Sequence, residues 1–147
     1  MIVDRATIAS LVPHAGAMCL WDAVSHWDAQ RIALHAHGHR DPAHPLRSQA
    51  RLRAVHLCEY GAQAMAVHGG LLARGRGGVA PPGMLVALRQ VELHVARIDD
   101  LPGALDCEAE ALVASDTAQQ YRFAIHHAGT LLAQGRAAVM LQPARPA

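Results

Sequence analysis

A stripe of polar side chains interrupts an otherwise apolar stretch of the chain, from Leu52 to Ala73. The stretch reads LRAVHLCEYGAQAMAVHGGLLA, contains no proline and is too long for a strand, so it predicts a helix buried on most sides. His56, Glu59 and Gln63 are spaced by three and four residues, which places them on one face of that helix. A carboxyl group on an apolar helix is costly unless it is neutral, paired or used in chemistry. Glu59 is therefore the leading candidate functional residue, and the alternative is a structural carboxylate held by a backbone amide or an arginine.

Histidine is the second residue type that could do chemistry, since the chain contains eleven. His35, His37 and His39 alternate along a predicted strand and would share one face, which is compatible with a metal site. No carboxylate is spaced to complete a zinc site, so we expect no metal. His14 follows a proline in a turn, which favours a structural hydrogen bond over catalysis.

The composition limits the class of protein to which these residues belong. With 147 residues, 52% hydrophobic and 17% charged, the chain predicts one globular domain over residues 1–147 with a real core. A formal net charge of +1 without a Lys/Arg cluster argues against nucleic-acid binding. No apolar run is long enough to span a membrane, and residues 1–10 do not read as a signal peptide. Three scattered cysteines without a CxxC pair indicate free thiols in a reducing compartment, so we expect a cytoplasmic protein.

The candidate residues need a scaffold, and the pattern of the chain predicts one. The expected elements are a short helix at 4–10, a turn at 13–16, strands at 17–27 and 31–38, the long helix, a glycine- and proline-rich loop at 74–83, strands at 84–98, 104–114, 119–127 and 130–141, and a loose tail at 142–147. A helix that is apolar nearly all round needs a sheet curved about it. We therefore predict an α+β protein with the hot-dog fold, in which a curved antiparallel sheet wraps around a central helix.

The same pattern predicts an assembly. In the strand at 84–98, strict alternation would place alternate residues on one face, namely Leu85, Ala87, Arg89, Val91, Leu93, Val95 and Arg97. A single hot-dog domain leaves an edge strand and part of its helix uncovered, so we expect a dimer with two central helices side by side.

Several motifs occur in an order that resembles a known family. They read LVPHAGAMCLWDAV at 11–24, HRDPAHP at 39–45, EYGAQ at 59–63 and DDLPG at 99–103. Together they resemble the hot-dog 3-hydroxyacyl-acyl-carrier-protein dehydratases, and in detail the variant dehydratases of aryl-polyene biosynthetic clusters.

The resemblance implies a role for each matching residue. His39 would remove a proton from the carbon next to the thioester, and Glu59 would protonate the departing hydroxyl, the two groups coming from different protomers. A buried carboxylic acid can hold its proton near neutrality, and histidine is a natural base at that pH. The backbone amides of Ala54 and Val55 would stabilise the developing enolate. Gln63 would line the site and orient Glu59, and no cofactor or metal is implied.

The substrate would arrive on the phosphopantetheine arm of an acyl carrier protein. Three arginines just before the helix, Arg47, Arg51 and Arg53, are the expected contacts for that carrier, and the alternative is a solvated basic loop. The product would be the trans-2-enoyl chain, and the dimer would be a homodimer or a heterodimer with a related dehydratase.

Three alternatives stay open. His44, in the loop before the helix, is the alternative base. A hot-dog acyl thioesterase would use the helix carboxylate without a matched histidine. A weakly active, non-catalytic subunit that pairs with a true dehydratase is the third alternative, and the loop that contains His39 would suit it.

Overall fold

A long helix lies against a six-stranded antiparallel sheet in the computed structural model, which describes residues 3–12, 16–81, 83–115 and 117–142. The elements are α1 (Arg5–Leu11), β1 (Ala23–Trp27), β2 (Arg31–Ala36), α2 (Leu57–Gly75), β3 (Gly83–Leu93), β4 (Leu105–Ala114), β5 (Ala118–His127) and β6 (Thr130–Leu141). Single 3₁₀ turns occur at Gly16–Met18, Gly38–Arg40 and Ala54–His56. The strand order is β1-β2-β4-β5-β6-β3, so β1 and β3 form the two edges. The α+β class and the hot-dog fold are confirmed.

The core lies between α2 and the concave face of the sheet. Inward-facing residues alternate along the strands, as in β4, where Leu105, Cys107 and Ala109 are buried and Asp106 and Glu108 are exposed. Most of α2 is buried, as its apolar sequence predicts. No helix in the described part of the chain is long and apolar enough to cross a membrane.

Two glycines allow α2 to approach the sheet closely. A Cβ built on Gly61 would lie 2.7 Å from the ring of Phe123, which is fully buried on β5. A Cβ on Gly135 of β6 would lie 3.2 Å from the same ring. The Phe123 ring therefore occupies a space that exists only because both flanking positions lack a side chain.

The long helix begins later than its sequence indicates. The sequence predicts a helix from Leu52, whereas α2 begins at Leu57. Residues 52–54 are extended and pair with residues 96–98, because Ile98 N–H donates to Leu52 O at 2.9 Å and Ala54 N–H donates to Ala96 O at 3.0 Å. This pairing also explains why β3 ends at Leu93 and not at residue 98. The first predicted strand is shorter too, since only Ala23–Trp27 is extended after the turn Gly16–Met18.

Two irregularities in β3 overturn the predicted shared face. The register with β6 shifts between Leu85 and Ala87 and again between Arg89 and Glu92. Each shift reverses the side to which the following residues point. Leu85 and Leu93 pair with inward-facing residues of β6, while Ala87 and Arg89 pair with outward-facing ones.

The structure confirms the predicted cap of α1 and the predicted tight turn at 128–129. Asp4 caps α1 and accepts a hydrogen bond from Thr7 N–H at 2.9 Å. Ala128 and Gly129, which join β5 to β6, have φ angles of 48° and 83°, as a tight hairpin requires. The predicted turn at 13–16 lies outside the described residues except for Gly16, and so does the predicted tail beyond residue 142.

Candidate active site

Glu59 lies in the first turn of α2 and is half-buried. Its carboxylate Oε1 accepts a hydrogen bond from Gln63 Nε2 at 3.4 Å, one turn further along the helix. Gln63 is itself buried. Its Oε1 accepts a hydrogen bond from Leu20 N–H at 3.0 Å, and its Nε2 donates to Met18 O at 2.7 Å. Gln63 therefore joins the segment before β1 to the helix and is hydrogen-bonded to the glutamate, while its orienting role stays a prediction.

His39 lies in the turn Gly38–Arg40 and its side chain is fully buried. Its Nε2 is 2.7 Å from Leu101 O, and a carbonyl can only accept, so Nε2 carries the proton and Nδ1 carries the lone pair. Nδ1 is buried and has no hydrogen-bond partner among the described residues. Burial lowers the pKa of His39, so the ring is neutral at pH 7. A neutral imidazole with an unpaired lone pair has the protonation state that a general base requires.

His44 is engaged at both ring nitrogens. Leu46 N–H donates to its Nδ1 at 3.1 Å, so Nε2 carries the proton and donates to the hydroxyl of Tyr60 at 3.0 Å. Burial lowers the pKa of His44 as well. Tyr60 is fully buried next to Glu59 in the sequence, and its backbone carbonyl accepts from the indole N–H of Trp21 at 2.8 Å. His44 thus fastens its loop to α2 and has no lone pair to spare, which favours His39 over His44 as the base.

The two amides predicted to stabilise the enolate differ in their availability. Ala54 N–H is bonded to Ala96 O at 3.0 Å, so it is already used by the fold. The amide of Ala54 is therefore already engaged within the chain, since α2 starts five residues later than the sequence indicates, at Leu57 and not at Leu52. Val55 lies in the turn Ala54–His56 with its side chain 54% exposed, and its role as a donor stays a prediction.

The three candidate arginines also separate. Arg47 is half-buried, and its guanidinium donates to Arg40 O at 2.8 Å and to Ala50 O at 3.4 Å. Arg47 therefore holds its own loop in shape. Arg51 and Arg53 are exposed, and among described residues the side chain of Arg53 bonds only to Gln49, at 3.4 Å. Only these two present a charge that an incoming anionic partner could contact directly.

Two aspartates that position the site were missed at the sequence level. Asp22 accepts from the guanidinium of Arg5 and from His37 N–H, both at 2.7 Å, and so anchors the chain just before the His39 turn. Asp99 accepts from Leu52 N–H at 2.9 Å ahead of α2, and its bond to Arg97 holds its pKa below the usual range. Both occur inside the motifs already noted, LWDAV and DDLPG, which was the available signal.

The alternating histidines do not form a shared face. The strand β2 ends at Ala36, after which His37 is exposed and His39 turns into the interior. Among the described residues, no group of three or more His, Cys, Asp or Glu side chains is arranged to hold a metal ion. His14 lies outside the described residues.

Similar solved structures share the fold of this chain. A chain of the dehydratase heterocomplex ApeI:P from Xenorhabdus doucetiae is 23% identical with a TM-score of 0.84, covering 92% of this chain and 91% of that chain. AziG from S. sahachiroi is 16% identical with a TM-score of 0.63, covering 91% of this chain and 99% of that one. A hypothetical thioesterase from Streptococcus pneumoniae, solved with coenzyme A, is 11% identical with a TM-score of 0.59, covering 84% and 87% respectively. At these identities the likeness establishes the fold alone.

The sequence itself carries the family assignment. No curated protein matches it. The family model ApeP-like, described as ApeP dehydratase, matches residues 6–147. The resemblance to a hot-dog dehydratase of the aryl-polyene type is thereby confirmed. Because the match extends over nearly all of the sequence, the chain belongs to the ApeP-like dehydratase family.

Proposed function

We propose that this chain removes water from a 3-hydroxyacyl chain carried by an acyl carrier protein, in aryl-polyene biosynthesis, and yields the trans-2-enoyl product without a cofactor. The observation that carries the proposal is the Glu59 carboxyl, half-buried on an apolar helix and oriented by Gln63. The dehydratase family of the chain is consistent with this use of the carboxyl. The thioester of the substrate makes the neighbouring C–H acidic enough for a histidine base.

The proposed reaction needs one base and one acid. His39 Nδ1 takes the proton from C2 of the substrate, and the electrons of that C–H bond form the C2=C3 double bond. The C3–O bond breaks, and Glu59 donates its proton so that the hydroxyl leaves as water. The Val55 amide is the proposed donor to the thioester oxygen while negative charge develops there.

The two groups are proposed to meet across a dimer interface. Within one chain they are not hydrogen-bonded to each other, since His39 Nε2 is bonded to Leu101 O and its Nδ1 has no partner among the described residues. On the edge strand β3, three leucines face the side of the sheet that holds the helix, yet each is about two-fifths exposed: Leu85 41%, Leu88 39% and Leu93 40%. A second hot-dog chain at this edge would cover them with its own helix.

Substitution of the two catalytic groups tests the proposal. Glu59→Gln keeps the size and a hydrogen-bonding group but removes the acid, so turnover of a carrier-bound 3-hydroxyacyl substrate should fall at least about a hundredfold with the fold intact. His39→Ala should do the same, and a mixture of the two inactive variants should regain activity in mixed dimers. Glu108→Gln, an exposed change on the outer face of β4, is the control. Near-normal turnover by Glu59→Gln would contradict the acid role.

A role as the less active subunit of a heteromeric dehydratase is the second candidate. Two observations favour it: the fully buried ring of His39 and the engaged amide of Ala54. It predicts negligible turnover by the chain alone and turnover that depends on Glu59 when a related dehydratase chain is added. Release of a free acid in place of an enoyl thioester would instead indicate the thioesterase alternative.

A further inference from the structure

We infer that the β3 edge selects a partner chain with acidic outward-facing residues on its own edge strand, in preference to a second copy of this chain. The inference rests on the proposed pairing of two hot-dog chains and specifies the chemistry of the partner. It follows from how charge is distributed over the two faces of the sheet next to this edge.

The inward face of β3 provides hydrophobic affinity for a partner chain but does not distinguish one partner from another. Leu85, Leu88 and Leu93 are apolar, face the helix side and are about two-fifths exposed. Burying them is favourable against any hot-dog partner that presents an apolar helix, because hydrophobic burial is non-directional. Selectivity between partner chains therefore has to come from residues outside this inward face.

The outward face carries a row of charged residues that crosses five strands. The strand registers align them side by side, in the order Arg31 on β2, Glu110 on β4, Arg122 on β5, Arg136 on β6 and Arg89 on β3. At the inner end of the row Glu110 compensates its neighbours, since its Oε2 is 3.8 Å from Arg31 Nη2 and 3.1 Å from Arg122 Nη2. Positive and negative charges therefore alternate only in that half of the row.

The half of the row that reaches the edge contains only arginines. Arg136 and Arg89 are exposed and lie directly opposite each other, and neither forms an ion pair with any residue that the structure describes. The carboxylate of Glu92, on the same outer face of β3, is hydrogen-bonded to Gln134 and offsets one of these two positive charges, so a net positive charge remains at the edge. Like charges at directly opposite positions of an antiparallel pair oppose that pairing. The row contains two such pairs, Arg122 with Arg136 and Arg136 with Arg89, and ends with Arg89 at the edge.

A second copy of the chain would extend the row with more arginines. Arg89 is one residue from Leu88, the midpoint of β3, so full antiparallel overlap of two copies brings their Arg89 side chains to diagonal positions, about 7–8 Å apart. That distance is no greater than the Debye length of about 8 Å at physiological ionic strength, so salt leaves much of the repulsion in place. Each copy would bring Arg89 to the junction, with Arg136 on the next strand.

An acidic partner would instead continue the alternation that Glu110 begins. A carboxylate facing outward near the middle of its edge strand would lie opposite or diagonal to Arg89. Apolar burial then supplies affinity, while the charges disfavour the like pair and favour the unlike one.

A charge-reversed copy of this chain provides an acidic partner for the test. The variant Arg89→Glu/Arg136→Glu, carrying a mass tag, is mixed with an equal amount of the wild-type chain in low salt, and the dimers are counted by native mass spectrometry. Random pairing gives one half mixed dimers. We expect the exchange constant for mixed over like pairs to exceed its random value at least about fivefold, and the excess to shrink in 0.5 M salt.

A matched variant distinguishes an effect of charge at the β3 edge from an effect of the net charge of the chain. Arg74→Glu/Arg76→Glu makes the same change in charge at two exposed residues at the end of α2, and should pair at random with the wild type. If the reversed chain does not fold, Arg89→Gln/Arg136→Gln should self-associate more tightly than the wild type. Random pairing of the reversed chain, equal self-association of the glutamine variant, or the absence of dimers in every mixture would each overturn the inference. Pairing is measured without substrate, so its outcome is independent of whether the dehydratase assignment to Glu59 and His39 holds.

Discussion

Replacing Gly61 by alanine tests how closely α2 must approach the sheet below the Glu59 turn. The new Cβ would lie 2.7, 2.8 and 2.9 Å from three atoms of the Phe123 ring. The ring is fully buried, and Gly135 lies against it from β6, where a Cβ would already be 3.2 Å away. The ring therefore has little room to retreat, and α2 itself has to shift.

Two opposing terms determine the size of the effect. Glycine to alanine in a helix interior gains about 1 kcal/mol of helix propensity. Overpacking a well-filled core costs about 1–3 kcal/mol, and a contact below 3.0 Å against a confined ring belongs at the upper end. The cost of the clash exceeds the gain in helix propensity, so we expect the free energy of unfolding to fall by about 1–2 kcal/mol. For a chain of this size this corresponds to a drop in Tm of about 2–8 °C.

Gly69→Ala in the same helix is the matched control. A Cβ there meets nothing closer than Gln119 Nε2 at 4.0 Å, so only the propensity term acts and the variant should gain about 1 kcal/mol. Urea unfolding of both variants measures the two signs. In a Phe123→Leu background the clash is relieved, and Gly61→Ala should become neutral or stabilising. If Gly61→Ala is as stable as Gly69→Ala in the wild-type background, the close approach described here is wrong.

Further predictions concern the site and its surroundings. Burial lowers the pKa of His39, His44 and His68, so below about pH 6.5 these side chains bind protons more readily in the unfolded chain than in the native one. Protonation therefore favours the unfolded state, and Tm should fall as pH decreases from 7 to 5. A flat Tm over that range would contradict the neutral histidines. Gln63→Leu should cost about 2–4 kcal/mol, since Leu20 N–H and Met18 O lose their partner, and should lower kcat by releasing Glu59. An unchanged kcat would mean that Gln63 does not position the acid. Arg51→Ala/Arg53→Ala should raise KM for carrier-bound substrate severalfold and leave Tm unchanged, whereas Arg47→Ala should lower Tm because it releases the 40–50 loop. Equal effects of the two changes on KM and Tm would contradict this division.

Much of the architecture follows from the sequence by itself. Strands at 31–36, 105–114, 118–127 and 130–141 agree with the predicted alternation to within a few residues, because their apolar residues pack against a single helix. The apolar character of α2 and the tight turn at 128–129 are likewise local properties. The four motifs at 11–24, 39–45, 59–63 and 99–103 together indicated the family, because their residue types and their order along the chain can be read without the fold.

The hydrogen-bond partners of each candidate side chain depend on tertiary contacts, which the hydrophobic periodicity of the sequence does not predict. His39 and His44 are five residues apart and read alike in sequence. In His39 only Nε2 is hydrogen-bonded, to Leu101 O, and Nδ1 has no partner among the described residues. In His44 both nitrogens are hydrogen-bonded, Nε2 to Tyr60 and Nδ1 to Leu46. A protonation state is determined by what lies next to the ring, and those groups come from distant parts of the chain.

The start of α2 and the faces of β3 were decided in the same way. Residues 52–54 have helical character in sequence, yet their backbone groups pair with residues 96–98, so the Ala54 amide is bonded to Ala96 O and does not lie free at the start of a helix. The irregularities of β3 turn Arg89 outward and Leu88 inward. Backbone hydrogen bonds formed at long range override weak local propensity, because a buried amide without a partner costs more than a few helical residues gain.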